Sequence, residues 1–163
     1  MIELLDKKHK REDFDCGNVF LNNYLKTQAG QDIKRKLSAC FVLSKNKTSI
    51  QGYYTLSNNS IPTNTFPEQI QRKLPKSYKS IPTTLLGRLA IDKKYQGQGI
   101  GKILLIDALK RSYELSKEIG SFAVVVYPID EVAEQFYKKF DFIKLPDSGK
   151  MFIATKTLQE LFR

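Results

Sequence analysis

The spacing of apolar and polar positions changes repeatedly along the chain. Residues 18–37, NVFLNNYLKTQAGQDIKRKL, place Phe20, Leu21, Tyr24 and Leu25 at helical spacing, then reach Gly30 and a polar turn holding Ile33 and Leu37. Two short helices, or one broken helix, fit that pattern. Residues 38–45 read as a short strand and 48–61 as a longer one. The Asn46-Lys47 turn between them makes an antiparallel hairpin. Four of the six prolines fall in residues 62–83, which argues against a central strand there and limits any helix to the region of EQIQRKL. A strand (84–92), a helix (99–118), a buried strand (121–128), a helix (130–140) capped by Asp130, and a last strand (151–158) follow. Strand alternating with helix implies a parallel or mixed sheet with right-handed crossovers.

Residues 99–118 carry a wide apolar face of Ile100, Ile103, Leu104, Ala108, Leu109 and Leu115, as a helix packed on a sheet requires, and leave Lys110 and Arg111 to solvent. At 163 residues a single domain spanning 1–163 is expected. Lys and Arg total 27 against 17 Asp and Glu, a net charge of +10 that favours polyanionic partners, either nucleic acid or phosphate-rich cofactors. The opening MIELLDKKHKREDF has no continuous apolar run of the signal-peptide kind, and no window approaches a membrane span, so the expected compartment is the cytoplasm. There the lone Cys16 and Cys40, which lack metal-ligand spacing, are expected as reduced, buried small hydrophobes; no metal site is expected.

The chemistry concentrates at QGQGIG, residues 96–101, between a strand and a helix. First-turn amides there have no intrahelical partner and face the positive end of the helix dipole, so the junction suits an anion. It is not a Walker loop, because Gln96 stands where the first glycine is needed and Ile103 where Ser or Thr is needed. A dinucleotide fingerprint needs G-x-G-x-x-G, and the spacing here is G-x-G-x-G.

The remaining pattern, Q-x-x-G-x-G from Gln96 through Gly99 to Gly101, resembles the acetyl-coenzyme A signature of the GNAT superfamily of N-acetyltransferases. That resemblance implies a GNAT fold of the α/β (α+β) class: a central mixed, mostly antiparallel sheet with a parallel splayed pair and helices on both faces. It implies pyrophosphate on the main chain of Gln96, Gly97, Gln98, Gly99, Ile100, Gly101 and Lys102, and pantetheine along Leu89, Ala90 and Ile91, with side-chain identity mattering little. It assigns Phe136 to the coenzyme site and gives Tyr137, in FYKKF, the role of general acid. A neutral phenol with a pKa near 10 can donate a proton as the departing sulfur becomes basic. Asp141 replaces the glycine usual after that helix and should take a left-handed turn. No carboxylate announces itself as a base. Glu131 and Glu134 are near in sequence, and an α-amine with a pKa of about 7.7 to 8 needs little help.

A narrower resemblance joins FDCGNVFLNNYL, GYYTL, LLGRLAIDKKYQGQGIG, DEVAEQFYKKFDF and KMFI, which together look like the toxin branch of these enzymes from bacterial toxin–antitoxin pairs. It implies acetylation of the α-amine on aminoacyl-tRNA, a ribbon-helix-helix antitoxin and a homodimer. The alternative is a housekeeping enzyme acetylating a small-molecule or protein amine. RNA contacts would then fall to Lys34, Arg35 and Lys36, to Arg72, Lys73, Lys76 and Lys79, and to Arg88 and Lys93.

Overall fold

A computed structural model describes all 163 residues. In chain order the elements are β1 (Ile2–Leu4), α1 (Val19–Asn23), α2 (Ala29–Lys34), β2 (Ala39–Lys45), β3 (Ser49–Pro62), α3 (Glu68–Gln71), β4 (Ser80–Ile91), α4 (Ile100–Ser116), β5 (Ala123–Val126), α5 (Glu131–Lys139), β6 (Ile143–Lys144), β7 (Met151–Ala154) and α6 (Thr155–Phe162). Seven strands are hydrogen-bonded in the order β1-β2-β3-β4-β5-β7-β6. The sheet is mostly antiparallel with one parallel pair, as expected.

The chain forms two compact units. The first comprises Met1–Ser57 with Leu86–Ala108. Here Asn46 and Lys47 both take positive φ, 55° and 65°, which matches the right-handed twist of the β2–β3 hairpin. Within residues 18–37 one broken helix forms, over residues 19–34. Its break is a widened turn over Tyr24–Gln28, in which the Ala29 amide reaches back to the Tyr24 carbonyl, and Gly30 continues the helix beyond it. The core gathers Phe14, Tyr24, Leu25, Cys40, Val42, Tyr53 and Ala90. Tyr53 stands edge-on to Phe14 at 5.5 Å and stacks on Tyr24 at 6.4 Å, while its hydroxyl donates to the Leu21 carbonyl at 2.7 Å. Gly52 meets this core where only a glycine fits, since a Cβ would lie 2.8 Å from Leu104 Cδ1 and 2.9 Å from the Ala90 oxygen.

The second unit comprises Asn58–Leu85 with Leu109–Arg163. Phe66 is the hub of its core, edge-on to Phe122 at 5.5 Å and to Phe152 at 5.4 Å.

Four expectations are corrected. Strand β4 starts at Ser80, inside the proline-rich stretch; Pro82 lacks an amide, but its carbonyl still accepts the Phe122 amide at 2.8 Å. The last strand stops at Ala154, because Thr155, Leu158 and Phe162 have helical spacing and open α6, with Leu158 buried. On α4 the buried rows are Ile100, Leu104 and Ala108, with Leu105, Leu109 and Ser112, whereas Ile103 is 51% exposed and Leu115 43%. Ile103 sits roughly 100° around the helix from Leu104, off the stripe, and Leu115 falls in the last turn. The short β1 and β6, of three and two residues, went unpredicted. Cys40 is buried as expected, but Cys16 is only half-buried. No helix is long and apolar enough to cross a membrane.

Candidate functional site

Strand β4 ends at Ile91, and the chain then turns through Asp92 and a short 3-10 turn, Lys93–Tyr95, into α4. Asp92 is 4% exposed. Its amide donates to the Gln51 carbonyl of β3 at 2.9 Å, and its carboxylate caps the turn by accepting the Lys94 amide at 2.9 Å. Gly97 and Gly99 have φ of +78° and +81°, with nothing within 4 Å of an added Cβ. These glycines supply a left-handed conformation that L side chains resist, and the space outside them is open. The first rung of α4 runs from the Ile103 amide to the Gly99 carbonyl, so the amides of Ile100, Gly101 and Lys102 precede the ladder and are free for an acceptor outside the helix. That fits a phosphate ester on the expected residues.

The expectation that side chains matter little here is overturned at Gln96. Its Nε2 donates to the Ile91 carbonyl at 2.8 Å and to the Cys16 carbonyl at 3.1 Å, pinning the loop to the strand it leaves. Gln98 Nε2 donates to the Lys94 carbonyl at 3.2 Å. Along the end of β4, Ala90 is buried in the first unit's core, while Leu89 and Ile91 are half-buried.

The cations expected to meet RNA divide into two sets. Arg88 stacks its guanidinium 3.5 Å above the Tyr24 ring centroid, and Lys93 faces the Asp15 carboxylate at 3.6 Å. Tyr24 donates to Asp32 at 2.8 Å; burial, with that carboxylate, pushes its pKa up to about 12, so it stays neutral under the cation. Arg72 pairs with Glu68 at 3.7 Å. Lys34, Arg35 and Lys36, at the end of α2, are exposed and have no carboxylate partner.

In the second unit Asp130 caps α5, accepting the Ala133 amide at 2.8 Å. The helix ends as the sequence implied. Asp141 takes φ 69°, its amide donates to the Lys138 carbonyl, and the Phe142 amide donates to the Tyr137 carbonyl at 3.2 Å. This 6→1 closure lays Phe142 against Tyr137, ring centroids 5.2 Å apart. Phe136, half-buried, stands edge-on to Tyr137 at 5.4 Å. Tyr137 is 7% exposed, and burial raises its pKa well above the ordinary value, so the phenol keeps its proton. Glu134 carries Lys144 and Lys138, and hydrogen bonding to Lys144 above all holds its carboxyl below the ordinary range, which makes it a weak base. Glu131 is exposed in the first turn of α5.

Residues 36–144 match the family model described as an acetyltransferase (GNAT) domain. The tRNA-acetylating toxin of Mycobacterium tuberculosis is 34% identical over 129 residues, covering 79% of this chain and 75% of the toxin. The chain belongs to the GNAT acetyltransferase family. Among solved GNAT structures, AtaT complexed with acetyl-methionyl-tRNAfMet superposes with a TM-score of 0.92 at 34% identity, covering 100% of this chain and 99% of that one. A tyrosine-to-phenylalanine mutant of the AtaT toxin, bound to the C-terminus of the antitoxin AtaR and acetyl-CoA, gives a TM-score of 0.83 at 30% identity, covering 99% and 96%. The GNAT signature pointed to the Gln96–Lys102 loop and to Tyr137. It did not flag Asp92 or the Gln96 amide group, whose partners lie at Asp15, Cys16 and Gln51, far off in sequence.

Proposed function

We propose that this acetyltransferase moves the acetyl group of acetyl-CoA onto the α-amine of the amino acid carried by charged tRNA, and so blocks translation as the toxin of a toxin–antitoxin pair. One observation carries the reading: the full-length likeness, at TM-score 0.92, to a relative held in complex with acetyl-methionyl-tRNA.

Acetyl-CoA supplies an activated acyl group as a thioester. The protein's share of the work is to bind, orient and protonate. The main chain of Gln96–Lys102 receives the pyrophosphate, with Gly97 and Gly99 setting the loop's curvature. Backbone polar groups of Leu89, Ala90 and Ile91 align the pantetheine arm, and one strand amide of that segment meets the carbonyl oxygen. Tyr137, beside Phe136, gives its proton to the departing sulfur and is reprotonated by the proton that the attacking nitrogen sheds; its raised pKa keeps the resting phenol protonated across the working range. No protein base is assigned, because a fraction of an α-amine is already neutral near pH 7.5. Lys34, Arg35 and Lys36 meet the RNA phosphates, joined by Lys73, Lys76 and Lys79. The reading extends to a cytoplasmic homodimer and to a ribbon-helix-helix antitoxin whose tail covers the active site.

Incubation with acetyl-CoA and a pool of charged tRNAs, followed by sequencing of the acetylated species, should yield N-acetylated aminoacyl ends. Transfer only to polyamines or proteins would replace this reading with that of a housekeeping acetyltransferase.

A further inference from the structure

We infer that the segment Asp15–Asn22 is a working part of the coenzyme site, a brace that holds the phosphate loop in its binding conformation, with Asn22 and Gln96 as positioning residues. The inference rests on the reading of Gln96–Lys102 as the pyrophosphate loop.

Two reciprocal bonds tie the segment to the loop's root. The Asp15 amide donates to Asp92 Oδ2 at 3.1 Å, and the Lys93 amide donates back to the Asp15 carbonyl at 2.8 Å. One residue beyond Asp15 and three beyond Lys93, Gln96 Nε2 donates to the Cys16 carbonyl at 3.1 Å. Gly17 sits at φ +90° and the Asp15 side chain is exposed. Asn22 stiffens the segment from behind. Its Oδ1 accepts the Cys16 amide at 2.8 Å and its Nδ2 donates to Asp15 Oδ1 at 2.9 Å, the same oxygen that accepts the Gly17 amide at 2.9 Å. Asn22 is 9% exposed, and α1 is fixed to β3 by the bond from Tyr53 to Leu21. A path of buried or bonded groups therefore runs from the sheet through Asn22 and Asp15 to Asp92 and Gln96. These groups touch no phosphate. They determine where the loop amides point, and a preorganised loop binds more tightly because ordering it costs nothing at the moment of binding. Aspartate at 15 and asparagine at 22 suit the task because their short side chains bond nearby main chain, here two and six residues away.

The test compares binding of coenzyme A with binding of pantetheine, which lacks the pyrophosphate, by calorimetry and displacement. Three proteins are used: the wild type, Asn22→Leu and the surface variant Gln96→Met. Loss of the brace should weaken coenzyme A about tenfold in each variant and leave pantetheine within about twofold. Unchanged coenzyme A affinity would overturn the inference, and so would equal weakening of both ligands, which would mark a general folding defect. A wild type that binds both ligands equally would remove the pyrophosphate reading itself, and the brace with it.

Discussion

The Gln96–Lys102 loop, proposed to take the pyrophosphate, and the Tyr137 segment are built in opposite ways. The loop needs its backbone displayed, so it is bonded from behind by side chains, at Asp92, Gln96 and Gln98, and left open in front at Gly97 and Gly99. The Tyr137 segment needs one side-chain oxygen held in place. It is fixed by rings, Phe136 and Phe142, and by the helix closure through Asp141. On the proposed reading, binding depends on how side chains hold the main chain of the loop, whereas the chemistry depends on a single hydroxyl.

That contrast can be broken at either end. The largest effect is expected from Tyr137→Phe, which keeps the ring packing and should lower turnover by roughly 10²-fold with the acetyl-CoA Kd unchanged, as steady-state kinetics and calorimetry would show. Turnover at the wild-type level would reduce Tyr137 to a packing residue. Gly99→Ala should do the reverse. Forcing a Cβ at φ +81° costs about 1 to 2 kcal/mol, so acetyl-CoA affinity should fall about tenfold at saturating turnover near wild type.

Alkaline stability sharpens the comparison further. Burial raises the folded-state pKa of Tyr137, so its protonated form is favoured in the native protein; stability is fully present below the ordinary value of 10.0 and is lost as pH rises above it. Urea melts should have flat midpoints to about pH 9.5 and falling midpoints beyond, and Tyr137→Phe should soften that fall. The smallest effect is expected at Asp141, where replacement by Gly relieves a left-handed aspartate and should raise stability by about 0.5 to 1 kcal/mol, read as a higher Tm with activity unchanged.

Much of this was legible in the sequence for local reasons. The Asn46-Lys47 turn, the Asp130 cap and the left-handed Asp141 are each decided within a few residues. The strand end at Ala154 was not, because Met151–Leu158 is apolar enough to pass for one strand and only the spacing from Leu158 to Phe162 reveals the helix. Pro82 misled through its missing amide, since its carbonyl alone suffices for the β4 ladder at that position. Within the proposed site, the glycines and Tyr137 each stand in a local signature. The brace does not, since Asp15 and Asp92 are 77 residues apart and neither stands in a glycine-rich or aromatic pattern. The segment FDCGN was legible only as a family likeness, and its bonds to Asp92 and Gln96 span 77 and 80 residues.

The central claim, transfer to the α-amine of aminoacyl-tRNA, is tested most directly with radiolabelled acetyl-CoA and one charged tRNA in two forms. One form is native, and in the other nitrous acid has converted the aminoacyl amine to a hydroxyl. The account predicts label on the first, released on mild alkaline hydrolysis as the Nα-acetyl amino acid, and none on the second. Equal labelling of both, or label retained on the RNA after hydrolysis, would contradict it.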